Sequence, residues 1–133
     1  MSSTNKIIFY HFPPIIWAGL IYFASSLPGG KVPLIEGMDK VAHFGVYGIF
    51  CWLLHRSLQN NNLEIIRKYS LIISIILTSL YGLGDEFHQS FVPQRFSDVG
   101  DLIADILGAI AYCLVYISIQ KNKKNNLNSI WKK

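Results

Sequence analysis

The apolar residues of this chain are gathered into four blocks, each about as long as a bilayer is thick. The blocks cover residues 7–27, 41–58, 69–84 and 102–119. Because a helix rises 1.5 Å per residue, about 20 residues cross about 30 Å of hydrocarbon. Helices of a soluble bundle would carry a polar stripe, whereas residues 71–77 are apolar almost all round. The pattern predicts an all-α membrane protein, an up-and-down bundle of four transmembrane helices.

Short connections join the blocks, and short connections make consecutive helices antiparallel. With no internal repeat or linker in between, the sequence predicts one transmembrane domain over residues 1–120 and a basic cytoplasmic tail over residues 121–133. A cleaved signal peptide is the alternative for the first block, because Lys6, an apolar run and Ala24-Ser25-Ser26 have its layout. The spanning length of that block and its early prolines favour a retained helix.

The basic residues predict the orientation in the membrane. With a cytoplasmic N-terminus, nine of the 12 basic residues lie on the cytoplasmic side, and only Lys31, Lys40 and Arg95 lie outside. Cytoplasmic loops are enriched in Lys and Arg. We therefore expect a multi-pass protein of the cytoplasmic (plasma) membrane with both termini cytoplasmic. Its net charge of +4 then reflects contact with the lipid bilayer and not with nucleic acid.

Acidic residues lie mostly on the opposite side. Under this topology only Glu64 is cytoplasmic, and the other seven are external: Glu36, Asp39, Asp85, Glu86, Asp98, Asp101 and Asp105. Acidic residues contribute little to orientation, so their clustering requires another explanation. The two cysteines, Cys51 and Cys113, lie within apolar blocks and predict neither a disulfide scaffold nor a paired-cysteine metal site.

The second block opens with Asp39, Lys40 and His43, and Asp39 lies one helical turn from His43 on the same face. Asp39 is either a helix N-cap, with Lys40 reaching the headgroups, or the residue that fixes the tautomer of His43. His43 lies among apolar residues and therefore needs a hydrogen-bond partner.

Asp85 and Glu86 end the third block, and His88 and Gln89 follow. Adjacent carboxylates near lipid repel each other, so either a cation binds there or one of the pair takes up a proton. The alternative is a pair of interfacial acids that reach towards water. Residues 92–95 predict a turn, after which Arg95 either neutralises one of these acids or captures a carboxylate or phosphate.

Asp98, Asp101 and Asp105 recur at offsets of three and seven, so they lie on one face of the fourth helix. Asp98 suits an N-cap, and Asp101 suits the first turn. Asp105 lies deeper, where an unpaired charge is costly, and we expect it to face the bundle interior and to have a partner.

Four fragments, taken in order, resemble the VanZ-like family of membrane proteins. They are Ser25-Ser26, Asp39-Lys40-x-x-His43, Asp85-Glu86-x-x-Gln89-x-Phe91-x-Pro93-x-Arg95, and Asp98-x-x-Asp101-x-x-x-Asp105-x-x-Gly108. The resemblance implies a small multi-helix membrane domain in which these polar positions form the signature cluster. The family is named for an association with resistance to the glycopeptide teicoplanin, so it also implies a role at the cell envelope. Many members carry asparagine where this chain has Asp105, and His88 is not a shared position.

We expect the cluster to form a binding site for an envelope lipid, glycan or peptide, which alters glycopeptide susceptibility. The predicted site residues are Asp39, Lys40, His43, Asp85, Glu86, Gln89, Arg95, Asp98, Asp101 and Asp105. No catalytic residue, metal ligand or cofactor is assigned, and the oligomeric state is left open. One alternative is an enzyme, with or without a metal, that acts on a lipid-linked substrate. In it His43 is the general base or a metal ligand, and Asp85, Glu86 and Asp101 are acids or ligands. Another is proton- or ion-coupled transport.

Overall fold

A computed structural model describes residues 3–29 and 38–130 of the chain. Four charged residues to which the predicted topology assigns a side of the membrane lie outside the described residues: Lys31, Glu36, Lys132 and Lys133. Every regular element in the described part is helical. Four long helices dominate: α1 (Phe12–Ser25), α2 (Met38–Gln59), α3 (Ser70–Gln89) and α4 (Val99–Ile130).

Shorter helical turns precede two of these helices. Ser3–Lys6 and the π-helical Ile7–His11 lead into α1, and Glu64–Lys68 precedes α3. The π turn lies directly before Pro13 and Pro14, which have no N–H to donate to the preceding turn. The connection before α3 is closed by Arg67, whose Nη1 donates to the carbonyls of Asn61 and Asn62.

Cross-helix hydrogen bonds give the direction of each helix. His11 near the start of α1 meets Ser57 near the end of α2, and Tyr47 of α2 bonds Asp85 late in α3. Consecutive helices are therefore antiparallel, as the short connections predict. Helix α2 is central, since it packs against α1, α3 and α4. The polar end of the bundle, as we define it, is the end at which α1 and α3 finish and α2 and α4 begin.

The burial pattern is inverted relative to a soluble protein. Helix α3 buries its small and polar side and exposes its large aliphatic side. Its buried residues are Ser70, Ser74, Thr78, Gly82, Asp85, Glu86 and Gln89, and its exposed aliphatic residues include Ile72, Ile76, Leu80 and Leu83. Apolar side chains turned outwards are stable against lipid tails, not against water. This pattern supports the membrane class predicted from the sequence.

Three helical stretches are long and apolar enough to cross a membrane: Ile7–Ser25, Ser70–Gln89 and Val99–Asn128. Helix α2 has sufficient length at 22 residues but is not among them, so the prediction of four crossings is not confirmed. The physical reason is its polarity. His43, His55 and Arg56 all lie within the block that the sequence predicts to be the second span.

Glycines allow α2 and α4 to approach closely. A Cβ at Gly108 would collide with the backbone carbonyl of Phe44, and a Cβ at Gly48 would lie 3.2 Å from the carbonyl oxygen of Gly108. Small residues at such crossings let membrane helices come together. The close approach brings the first turns of α2 and α4 side by side at the polar end.

Helix α4 does not stop at the predicted end of the membrane domain. It continues through residues 121–130, whose described side chains are exposed. Neither glycine nor proline occurs after Gly108 in this helix, so nothing in its sequence breaks the hydrogen-bond ladder. At least this part of the predicted tail is therefore a continuation of the helix.

Candidate functional site

A buried histidine–carboxylate pair links α2 to α4 at the polar end. His43 Nδ1 lies 2.9 Å from Asp105 Oδ1, and Asp105 is 0% exposed. This confirms that Asp105 faces the interior and has a partner. The other oxygen, Oδ2, has no hydrogen-bond partner among the described residues and faces Gly82, where a Cβ would lie 2.6 Å away. Only a glycine at that position leaves room for the carboxylate.

The structure corrects the proposed pairing of His43 with Asp39. Asp39 lies one turn away on the same helix, but its Oδ1 accepts the backbone N–H of Lys40 instead. The interhelical contact with Asp105 is preferred because α4 lies directly against this face of α2. Asp39 is located in the first helical turn and not at the N-cap, since α2 begins at Met38.

Lys40 binds two aspartates across the α2–α4 interface. Its Nζ lies 2.7 Å from Asp98 Oδ2 and 3.2 Å from Asp101 Oδ1, and Asp39 Oδ2 is 3.8 Å away. Asp98 Oδ1 also accepts the N–H of Gly100, which confirms the predicted N-cap. The hydrogen bond from Lys40 lowers the pKa of the exposed Asp98 carboxyl below its ordinary value. Asp98 is therefore ionised at neutral pH.

A second chain of hydrogen bonds starts at Asp85. Its Oδ2 accepts hydrogen bonds from Tyr47 OH and Gln89 Nε2, each at 3.0 Å, and Gln89 Oε1 accepts one from Arg95 Nη1 at 3.2 Å. Tyr47 is 1% exposed and is not among the predicted site residues. The signal is present in the sequence, because Tyr47 lies four residues after His43 and therefore on the same helical face.

Arg95 connects the α3–α4 turn to the end of α1. Its Nε donates to the carbonyl of Leu27 at 2.9 Å, and its Nη2 donates to the carbonyl of Ala24 at 3.0 Å. These bonds fix the turn against the C-terminal end of α1. Within the described part of the chain Arg95 forms no ion pair, so the alternative in which it neutralises Asp85 or Glu86 is wrong.

The turn that carries Arg95 forms as predicted. The N–H of Arg95 bonds to the carbonyl of Val92, Pro93 occupies the second position, and Gln94 has a φ of 61°. This combination is typical of a type II turn, which usually has glycine in the place of Gln94. Gly29 fits against the same turn, where a Cβ would collide with the carbonyl of Gln94.

Glu86 is held by the backbone at the start of α4. Its Oε2 accepts the backbone N–H of Asp98 at 2.8 Å, which ties α3 to the start of α4. Its Oε1 has no partner among the described residues, although the residue is only 4% exposed. Glu86, His43 and Asp101 bring one ligand atom each to within 4.8 Å of one another, so these three could hold a metal ion.

A cavity of about 540 Å³ opens among these side chains at the polar end. The predicted site residues that line it are Asp39, His43, Asp85, Gln89, Arg95, Asp98 and Asp101. Lys40, Glu86 and Asp105 complete the set through their bonds to these residues or to the backbone between them. Side chains from all four long helices, including Ile21 and Ser25 of α1, form the wall.

His88 is not part of this cavity. Its Nε2 lies 3.0 Å from Ser26 Oγ, and its ring stacks on Tyr22 at a centroid distance of 4.7 Å. These contacts hold the ends of α1 and α3 together. The cysteines also lie elsewhere: Cys51 and Cys113 are free and buried within the α2–α4 interface.

The chain is similar to known proteins along most of its length. The family model described as VanZ/LLP1 matches residues 2–120. The chain is also 29% identical over 124 residues to the uncharacterized protein C11E3.10 of Schizosaccharomyces pombe, and the alignment covers 90% of this chain and 67% of that protein. No solved structure matches the chain.

Proposed function

The chain belongs to the VanZ/LLP1 family, and from this premise we propose that it is an integral membrane protein whose polar-end cavity binds the polar head of an envelope component. The candidate ligands are an envelope lipid, glycan or peptide, and occupancy of the cavity alters susceptibility to glycopeptides such as teicoplanin. The observation that carries the proposal is the cavity itself, in which buried polar groups converge from separate helices. Such convergence is typical of ligand sites.

In this proposal α2 is a fourth crossing, and residues 1–120 form the membrane domain. Support comes from the partners of its polar side chains. His43 bonds Asp105, His55 bonds Tyr112 OH at 2.6 Å, and Arg56 lies 4.3 Å from the ring centroid of Phe9. A helix whose polar groups are paired inside a bundle can cross a bilayer despite its low apolarity.

The proposed orientation places the polar end outside the cytoplasmic membrane and both termini in the cytoplasm. The asymmetry of the basic residues supports it, because the described cations at the other end of the bundle are Arg56, Arg67, Lys68, Lys121, Lys123 and Lys124. The cavity is then accessible to envelope components and to antibiotics that act there.

The charges around the cavity constrain what it binds. Among the described residues, six carboxylates line or adjoin it, against two permanent cations, Lys40 and Arg95, both of which already have partners. A surplus of negative charge attracts cationic and hydrogen-bond-donating groups and repels anions. We therefore propose a head that presents an ammonium or several hydroxyl groups. A head whose accessible charge is a bare phosphate fits poorly.

Two tyrosines allow a matched test. Tyr47→Phe removes the hydroxyl that bonds Asp85 beside the cavity, and Tyr116→Phe removes the hydroxyl that bonds Gln59 at the other end. Each variant, together with Asp85→Asn, is expressed in cells in which the native protein protects against teicoplanin. Lipids and glycans that co-purify in mild detergent are identified by mass spectrometry.

We expect Tyr47→Phe and Asp85→Asn to lose the co-purifying component and the protection, and Tyr116→Phe to retain both. Equal membrane levels of all variants, measured by immunoblot, exclude a loss of expression. Retention of the component and of protection by both cavity variants contradicts the proposal.

A second candidate is an enzyme that acts on a lipid-linked substrate. The observation in its favour is the His43–Asp105 pair, because a carboxylate on one imidazole nitrogen prepares the other nitrogen to accept a proton. In that case His43→Gln abolishes turnover but retains the bound component. Loss of the component in His43→Gln instead favours simple binding.

A further inference from the structure

One histidine and two carboxylates, each from a different helix, meet beside the cavity. His43 of α2, Glu86 of α3 and Asp101 of α4 place a ligand atom apiece within 4.8 Å of one another. His43 and Asp101 line the cavity, and their side chains are 16% and 11% exposed. The group is therefore nearly closed from solvent but is adjacent to open space. It is also a mixed nitrogen and oxygen donor set and not merely a cluster of acids.

The orientation of His43 leaves the appropriate nitrogen available. Asp105 occupies Nδ1, and the other nitrogen, Nε2, lies 3.9 Å from Asp101 Oδ2. Metal-binding histidines commonly donate their second N–H to a carboxylate, which fixes the tautomer and the ring orientation. Asp105 is in the position to do this for His43. The pair therefore has the arrangement of a metal-ligating imidazole and its supporting carboxylate.

Glu86 provides an independent indication of a ligand. Its Oε2 is satisfied by the N–H of Asp98, whereas its buried Oε1 has no partner in the described part of the chain. A buried polar oxygen without a partner is destabilising, because it has lost its hydrogen bonds to water and gained none in exchange. Asp101 is in a related state, because Lys40 occupies Oδ1 while Oδ2 points to His43. A cation among the three groups satisfies both oxygens.

We propose that His43 Nε2, Glu86 and Asp101 bind a divalent transition-metal ion, with Zn²⁺ preferred. One imidazole and two carboxylates suit Zn²⁺ and its neighbours, whereas Ca²⁺ and Mg²⁺ prefer sites made only of oxygen. Ligand atoms of a tetrahedral zinc site lie roughly 3.4 Å apart, so the three side chains need to move inward by about 1 Å or less. Any remaining coordination position faces the cavity.

The test is metal binding by the full-length protein in detergent, with any affinity tag removed. The protein is stripped with a chelator, titrated with ZnCl₂ by calorimetry, desalted and analysed for metal by mass spectrometry. We expect one ion per chain for the wild type. His43→Gln, Glu86→Gln and Asp101→Asn each weaken binding at least about tenfold, and Asp105→Ala weakens it about 10- to 100-fold by releasing the His43 ring.

Glu64→Gln is the control, because it removes an exposed carboxylate before α3, away from the polar end, and it retains the wild-type affinity. Thermal unfolding of the chelated proteins shows whether each variant folds. The inference fails if the wild type takes up no zinc, or if the three folded ligand variants bind it as well as the wild type does. It is independent of the proposed headgroup binding, because the titration contains no envelope component.

Discussion

Asp105 is completely buried, and among the described residues its side chain forms one hydrogen bond, to His43. Asp105→Ala removes the acceptor and leaves a buried imidazole nitrogen without a partner, at a cost of about 1–3 kcal/mol. Asp105→Asn retains an acceptor at the same position, so we expect a clearly smaller decrease in the free energy of unfolding. The measurement is unfolding of metal-free protein in mixed detergent micelles. Equal stability of the two variants would show that the His43 contact does not form.

Asp98 gives a prediction for pH. Lys40 lowers the pKa of this carboxyl, so the folded state holds its proton less tightly than the unfolded chain does. The stabilisation is therefore present above the unfolded aspartate pKa of about 3.9 and is lost as the pH falls through the lower, folded value. We expect Asp98→Asn to be less stable than the wild type at pH 6, with the difference disappearing at strongly acidic pH. A difference that grows on acidification would contradict the assignment.

The sequence predicts which polar residues are buried better than it predicts their partners. An unpaired charge as deep as Asp105 is too costly, which predicts that this residue faces inwards, and it does. Local spacing favours Asp39 as the partner of His43. The actual partner is Asp105, which lies 62 positions later in the sequence and on another helix. Two of the three hydrogen bonds of Arg95 go to backbone carbonyls at and just beyond the end of α1, and no side-chain pattern in the sequence marks a carbonyl.

At the level of helices, the contact between α2 and α4 depends on glycine. Gly108→Ala places a methyl group against the carbonyl of Phe44, and neither backbone can yield without separating the helices. We expect the free energy of unfolding to fall by about 1–3 kcal/mol, as for other overpacked contacts. We also expect a weaker His43–Asp105 hydrogen bond. Unfolding in micelles measures the first effect, and zinc affinity measures the second.

Two glycines serve as controls for this substitution. A methyl group added at Gly45 or Gly84 would have nothing within 4 Å, so alanine there is tolerated or slightly stabilising. If Gly45→Ala and Gly84→Ala were as damaging as Gly108→Ala, the loss would reflect helix backbone flexibility in general and not the α2–α4 contact.

The apolar blocks of the sequence predict some of the helix boundaries and not others. Length and apolarity predict α1, α3 and the first part of α4, since lipid-facing helices must be apolar on their outer side. The apolar blocks end at residue 119 and so do not indicate that α4 continues through residues 121–130, whose described side chains are exposed. Helix propagation needs only the absence of a breaker, and this segment contains none.

For the whole molecule, the proposed topology makes a prediction that accessibility can test. Ser90→Cys places a thiol in the exposed segment after α3, and Asn62→Cys places one in the exposed connection before it. With the polar end outside, a membrane-impermeant maleimide labels Cys at position 90 in intact cells and labels position 62 only after permeabilisation. The native cysteines are buried, and a variant with both changed to serine corrects for any background.

The reverse labelling pattern would overturn the orientation and would place the cavity in the cytoplasm. The cation site would be unaffected, since it depends only on contacts inside the bundle. Labelling of both positions from the outside would show that α3 does not cross the membrane and would contradict the proposed four-helix membrane domain.

Helix α4 is 32 residues long, which corresponds to about 48 Å. This exceeds the hydrocarbon thickness of about 30 Å by more than half. It carries Asp101 and Asp105 in its first two turns and Lys121, Lys123 and Lys124 towards its far end. Because the helix is unbroken, the aspartates and these lysines belong to one continuous element, separated only by its apolar middle. Under the proposed topology, a change in how the cytoplasmic lysines contact anionic lipid therefore acts on the same helix that supplies two carboxylates to the external site.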